Sequence, residues 1–272
     1  MQAFSRKVLK RVCADLNSLI NPVPLEHLVL VGSHHKCGSS WMYDVFCQIS
    51  RNFGLRLRFE NSAPASRGDD IYFHAHSSFD LTKLGKTAHR GLHLIRDPRD
   101  IIVSGCFYHQ KCGEPWALAP QAKFGGMSYR DKLRSFNRLD DQLLFEMEHC
   151  SAETLRELLS WNYDDPYFIN VKYEDLIEDH QLLMFHRIFT FLGFPGHAIP
   201  RMLQIAFEHS LFSGKVAARK HVRSGRARQW ETYFKPIHHQ RFHQLFGDAL
   251  YHLGYDGERE WSPTWPRESV HS

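Results

Sequence analysis

The sequence lacks three things that would place it outside the ordinary soluble enzymes: a long apolar run near its amino terminus, a dense cysteine framework, and a strong excess of one charge. Lys7, Lys10 and Arg11 are not followed by the apolar stretch that a signal peptide or membrane anchor requires. The expectation is a soluble, cytoplasmic chain with no integral membrane segment. Its cysteines, Cys13, Cys37, Cys47, Cys106, Cys112 and Cys150, show no CxxC spacing and read as free thiols of a reducing compartment. A net charge of +4 over 272 residues is too small for a general nucleic-acid binder, so no nucleic-acid partner is expected. The histidine pairs His34–His35 and His238–His239 have no cysteines or carboxylates beside them at metal-ligand spacing, so the sequence assigns no metal.

What is present suits one catalytic domain spanning residues 1–272. A chain of this length buries roughly three quarters of its unfolded surface without staples, and 13% aromatic residues supply the payload. No internal repeat or interdomain linker is visible. Apolar runs at 28–31, 71–74, 92–95 and 167–171 read as strands. Helical patterns are expected at 4–20, 40–51, 98–109, 181–192, 200–207 and 239–253, with two or three helices in 129–161. Strand-then-helix repetition implies an α/β fold with a mostly parallel sheet covered on both faces. The looser stretch 113–126, with Pro115, Pro120 and two adjacent glycines, is expected to be a mobile substrate lid.

The most informative segment is LVLVGSHHKCGSSW at residues 28–41. An apolar strand leads into a small-residue loop and then a helix, which is how a chain presents backbone N–H groups and a positive helix end to an anion. Lys36 adds a charge, and Ser39 and Ser40 add hydroxyls. The Walker pattern of nucleotide triphosphatases puts lysine after its second glycine, whereas Lys36 precedes Gly38 and Trp41 closes the segment.

KCGSSW resembles the phosphosulfate loop, K-[ST]-G-[ST]-[ST]-W, of the sulfotransferases that use 3′-phosphoadenosine 5′-phosphosulfate (PAPS). GLHLIRDPRDIIVSGCFYH at 91–109 is similar to that family's second signature, a strand ending in R-[DN]-P-[RK]-D followed by a helix with a serine in its second turn. Alone, RDPRD reads as a solvated, salt-bridged turn. RSGRARQWETYF at 223–234 resembles the family's RKGxxGxWxxxF, keeping Arg223, Gly225, Trp230 and Phe234, with Ser224 in place of lysine and Arg228 in place of the second glycine. Arg219 and Lys220 offer a competing pair just upstream. VKYEDL at 171–176 looks like the family's YEDL element, and IAFEHS at 205–210 carries an aromatic at the place of its adenine-contacting phenylalanine.

The resemblance implies a P-loop-containing three-layer fold and a set of roles. Lys36, Cys37, Gly38, Ser39 and Ser40 hold the 5′-phosphate end of PAPS. Arg96, Ser104, Arg223, Ser224 and Gly225 hold its 3′-phosphate. Trp41, Tyr173 and Phe207 contact the adenine. Lys36 also serves the departing nucleotide 3′-phosphoadenosine 5′-phosphate (PAP), and Ser104 counts among the catalytic groups. YFHAHSS at 72–78 stands where the family shows K-T-H, putting His74 at the lysine and His76 at the histidine that acts as general base. Alternate strand residues share a face, so both rings are expected to point into one cleft. The partner so implied is a small-molecule acceptor, and Phe107, Tyr108, Trp116 and Phe124 suit an aromatic or apolar one. Two other classes stay open from the residues alone: a P-loop kinase using ATP and magnesium, and a non-catalytic nucleotide-binding protein of the same fold. The family's carboxyl-terminal dimerisation element is not recognisable, which leaves oligomeric state open.

Overall fold

The computed structural model describes residues 23–59, 68–84, 87–214 and 225–256. The expected helix at 4–20 lies outside them. Along the chain run β1 (Leu28–Gly32), α1 (Ser39–Phe53), β2 (Leu57–Phe59), β3 (Ile71–His74), α2 (Leu81–Leu84), β4 (His89–Ile95) and α3 (Pro98–His109). Four helices follow, α4 (Pro115–Leu118), α5 (Tyr129–Arg134), α6 (Leu139–Glu148) and α7 (Cys150–Ser160), and then β5 (Phe168–Lys172). The remainder comprises α8 (Tyr173–Glu178), α9 (Leu183–Phe191), α10 (Ile199–His209), α11 (Trp230–Tyr233), α12 (Pro236–Phe246) and α13 (Ala249–His252).

The five strands form one parallel sheet in the order β2-β3-β1-β4-β5. Strand β1 is central and buried at every position, as a strand covered on both faces must be. Its alternation divides the core. Val29 and Val31 join Phe46, Phe73, Phe185 and Phe189 beneath α1 and α9, while Leu28 and Leu30 meet Phe168, with Phe79 and Trp161 against them. A further cluster built from Ile101, Ile102, Leu143, Leu155 and Phe242 knits α3 to α6, α7 and α12. Fully buried side chains of this size contribute roughly 1.5–3 kcal/mol each. No helix among the described residues is long and apolar enough to cross a membrane.

The expected α/β architecture is the one found, and the departures have local causes. Strand β2 was not expected; its three residues are too few for a period-two signal, and pairing with β3 alone orders them. The helix expected at 181–192 begins at Leu183 because Leu182 takes a positive φ of 59° and the Asp179 carboxylate accepts the N–H groups of Met184 and Phe185 at 2.9 and 3.1 Å. The helix expected at 239–253 starts earlier, at Pro236 in the first turn where a missing N–H is harmless, and breaks at Gly247. Residues 113–126 are not an open lid. Helix α4, a 3-10 turn at Ala122–Phe124 and a bridge between Pro120 and Ser128 fold them, with Ala117 and Phe124 buried.

Candidate active site

A parallel sheet delivers the carboxyl ends of all its strands to one edge, and ligands bind there where the strand order reverses. Strand β1 leads into the loop 33–38, β3 ends on His74, β4 is followed at once by Arg96, and β5 runs directly into Tyr173. The register fixes these ends against one another: Gly32 lies opposite both His74 and His93, and Ile95 opposite Lys172.

The loop is held in a wound conformation. Lys36 and Gly38 have positive φ values of 65° and 95°, and a side chain on Gly38 would also meet the Tyr173 ring at 3.0 Å. Cys37 N–H donates to the His34 carbonyl at 3.0 Å, Ser39 Oγ donates to the same carbonyl at 2.9 Å, and Arg96 Nη1 donates to the Lys36 carbonyl at 3.0 Å. A non-glycine residue in the left-handed region costs about 1–2 kcal/mol, which these bonds offset. The Lys36 ammonium sits 3.6 Å from the centroid of the Tyr108 ring. Burial first, then the Arg96 charge, brings its pKa down from 10.5 to about 8.

Arg96 is buried, with Nη2 3.6 Å from the Asp100 carboxylate and its guanidinium carbon 4.6 Å from the centroid of the Tyr173 ring. Asp97 caps α3 by accepting the Arg99 N–H at 2.9 Å, and Pro98 opens the helix. Asp100 and the half-buried Ser104 lie one turn apart on α3 and so share a face. Asp100, fully buried, accepts the backbone N–H of Trp230 at 3.0 Å, and the Arg99 guanidinium stacks 3.6 Å from the Trp230 ring. This draws the Gly225–Trp230 stretch onto the start of α3. Gly225 and Arg228 both take positive φ, 64° and 56°, so the backbone keeps a left-handed turn at 228 even though arginine replaces glycine. Arg223 and Ser224 lie outside the described residues. Asp100 was missed in the sequence reading; the signal available was the second acid of RDPRD.

Two buried donors at this edge, Arg96 Nε and Trp41 Nε1, have no hydrogen-bond partner among the described residues. Such groups are costly unless something accepts from them. With the loop and the amino-terminal end of α1, they fit an anionic nucleotide that accepts there.

His74 and His76 do not lie on one strand face as expected. Strand β3 ends at His74 and the chain turns through 75–76, so the period-two argument stops two residues short of His76. The rings are still neighbours, with centroids 6.5 Å apart, and the His76 N–H donates to His74 Nδ1 at 3.1 Å. His76 is exposed, its Nδ1 3.2 Å from both carboxylate oxygens of Glu157 on α7. Glu157 stands 81 positions from His76, and no local pattern in the sequence links the two.

Glu157 also receives buried His34, whose Nδ1 is 3.1 Å from Oε2. His34 Nε2 meets His93 Nε2 at 2.9 Å, and His93 Nδ1 meets Asn170 Oδ1 at 2.9 Å. The Asn170 amide is oriented by Trp161 N–H donating to Oδ1 at 3.0 Å and by its own Nδ2 donating to the Tyr163 carbonyl at 3.2 Å. His93 therefore donates from Nδ1 and accepts at Nε2, and His34 donates from Nε2; a proton on His34 Nδ1 toward Glu157 is opposed by burial, which lowers the His34 pKa, and favoured by the Glu157 carboxylate. Burial drives the Glu157 carboxyl up, but the hydrogen bonds from His34 and His76 and their charges outweigh it and hold it at about 2.

The other sequence-assigned residues fall as follows. Cys37 is fully buried and its N–H is turned onto His34, so neither its thiol nor its N–H faces the cleft. The Ser39 hydroxyl proton is spent on the loop itself, while Ser40 is exposed. Trp41 packs edge-on against Tyr173 and Phe185. Phe207 is 43% exposed on α10 and leans on Phe212, an aromatic outside the core. Phe124 is a core residue against Tyr129 and Phe145, Phe107 packs on Tyr233, and Trp116 is exposed.

A comparison with curated protein sequences returns no match. Among solved structures, mouse sulfotransferase SULT7A1 complexed with PAP is similar at a TM-score of 0.56 and 18% identity, covering 89% of this chain and 90% of that one. Retinol dehydratase in complex with androsterone and inactive cofactor PAP aligns at a TM-score of 0.49 and 15% identity, over 92% of this chain and 95% of that one. At these identities the first likeness bears on the fold. Residues 70–254 match the family described as Sulfotransferase domain, more than half of the chain, and by that match this protein belongs to the sulfotransferase domain family.

Proposed function

We propose that this chain is a single-domain enzyme transferring a sulfuryl group from PAPS to a hydroxyl, phenol or amine on a small-molecule acceptor, with His76 as general base and PAP as the second product. The observation that carries the reading is the convergence of Lys36, His74–His76, Arg96 and Tyr173 at the carboxyl edge of four adjacent strands. The PAP bound in the mouse structure of similar fold supports the choice of donor.

PAPS, when bound, supplies an activated sulfuryl group. The chain's residues position the reactants and balance charge, which is where most catalysis of such transfers resides. Lys36 carries its charge on the loop that resembles the phosphosulfate loop and neutralises the departing nucleotide. Arg96, Ser104 and Arg223, with Ser224 and Gly225, hold the 3′-phosphate. Trp41, Tyr173 and Phe207 border the base. His76 takes the acceptor proton at Nε2, while Nδ1 stays against Glu157, whose carboxylate favours the imidazolium that forms.

The test pairs binding with turnover. PAP stabilises the protein against heat more than ATP–magnesium does, and labelled PAPS gives transfer to members of a phenol and alcohol panel. Stabilisation by ATP–magnesium but not by PAP overturns the donor assignment. Tight PAP binding with neither transfer nor sulfate release overturns the catalytic one.

A further inference from the structure

Behind the nucleotide loop, three side chains from distant parts of the sequence bring their donor atoms together. His35 Nε2 and His109 Nε2 are 3.0 Å apart, Cys150 Sγ is 3.7 Å from His109 Nε2, and all three atoms lie within 4.8 Å of one another. We propose that His35, His109 and Cys150 bind a borderline-soft divalent cation of the zinc class, a site separate from the groups assigned to sulfuryl transfer.

The spacing suits the ion. Zinc–nitrogen and zinc–sulfur bonds of ordinary length at a tetrahedral angle put two ligand nitrogens about 3.3 Å apart, and a nitrogen and a sulfur about 3.6 Å apart. The two distances above differ from these by a few tenths of an ångström. The imidazole–thiolate set selects zinc, cobalt or copper over magnesium or calcium, which take oxygen.

The surroundings supply what a bare cluster lacks. His109 is fully buried, and its Nδ1 donates to the Glu146 carboxylate at 2.8 Å. That bond fixes the tautomer and leaves the Nε2 lone pair facing the other two ligands, the carboxylate–histidine arrangement found behind zinc ligands. Glu146, also fully buried, is itself held by Tyr129 OH at 2.8 Å and Ser151 OH at 2.7 Å. His35 and Cys150 are half-buried, so the cluster is not sealed from solvent, and the exposed Trp116 ring lies 5.2 Å from the His109 ring. In the metal-free protein His35 Nε2–H donates to His109. On binding, His35 moves its proton to Nδ1, the Cys150 thiol releases its proton to solvent, and both donor atoms turn to the ion. A fourth position remains for water.

Cobalt(II) reports on the site because thiolate ligation gives a near-ultraviolet charge-transfer band that imidazole sites elsewhere do not. The full chain, stripped with chelator and titrated with cobalt, is expected to develop that band with one ion per chain, and zinc is expected to displace it. Cys150→Ser, a near-isosteric change, is expected to abolish the band with the melting temperature of the metal-free protein unchanged. Cys47→Ser, on α1, should leave the band intact. Glu146→Gln, checked for folding by circular dichroism, should weaken zinc about ten- to a hundredfold. Cobalt bound without the band, a band that survives Cys150→Ser, or no uptake of one equivalent overturns the proposal, leaving His35–His109–Glu146 as a hydrogen-bonded chain alone.

Discussion

Glu157→Gln is the most searching single substitution, because this carboxylate serves exposed His76 and buried His34 at once. Holding Glu157 at about 2 instead of 4.5 corresponds to about 3 kcal/mol of stabilisation of its charged form. With its side chain 36% exposed, solvent screening brings the share reaching fold stability to about 1–2 kcal/mol. The sign follows from a native pKa below the unfolded one: the contribution is complete above pH 4.5 and disappears as pH falls toward about 2. Thermal melts should thus place Glu157→Gln about 2–8 °C below the parent at neutral pH, with the gap closing in acid. Turnover should fall about tenfold or more with the KM for PAPS unchanged, and Glu157→Asp should recover part of it, since Glu157 contacts the proposed base His76 and none of the described groups assigned to the donor. Equal melting temperatures at neutral pH would refute the account of a shared carboxylate. An unchanged kcat would detach Glu157 from His76.

Other substitutions separate the remaining roles. His76→Ala should cut transfer to an unactivated alcohol by roughly 10²–10⁴ and spare PAP binding in calorimetry, with a low-pKa phenol suffering less. If His74→Ala has that profile and His76→Ala is harmless, the base is His74. Lys36→Ala should lower turnover about a hundredfold or more with its melting curve intact; full activity in a folded Lys36→Ala protein excludes it from the reaction. Asp100→Ala removes the carboxylate facing buried Arg96 at 3.6 Å and should cost about 3–5 kcal/mol in denaturant unfolding. PAP should recover part of that loss, and an unaltered midpoint would show that Asp100 does not tie the Trp230 segment to α3. PAP should bind roughly a hundredfold or more tighter than ADP, because two charge-assisted bonds to the 3′-phosphate are worth about 1.5–3 kcal/mol each; equal affinities would remove the 3′-phosphate roles.

The sequence by itself determined the α/β architecture and pointed to the segments proposed to carry the site. Apolar strands, the small-residue loop and Pro98 at a helix start are local signals, each set by residues a few positions apart. The same locality explains the failures. A turn of two residues after His74 undid the strand-face argument, and a positive φ at Leu182 moved a helix start, because backbone torsions at one or two residues leave little trace in periodicity. Only the tertiary structure decided which distant groups meet: Glu157 beneath His76, Asp100 against the Trp230 backbone, and His35 with His109 and Cys150. Read along the chain, the His34–His35 pair had no companions at metal spacing. Folding brings His109 of α3 and Cys150 of α7 to His35, because a buried polar group must find its partner wherever the packing of helices on the sheet brings one within reach.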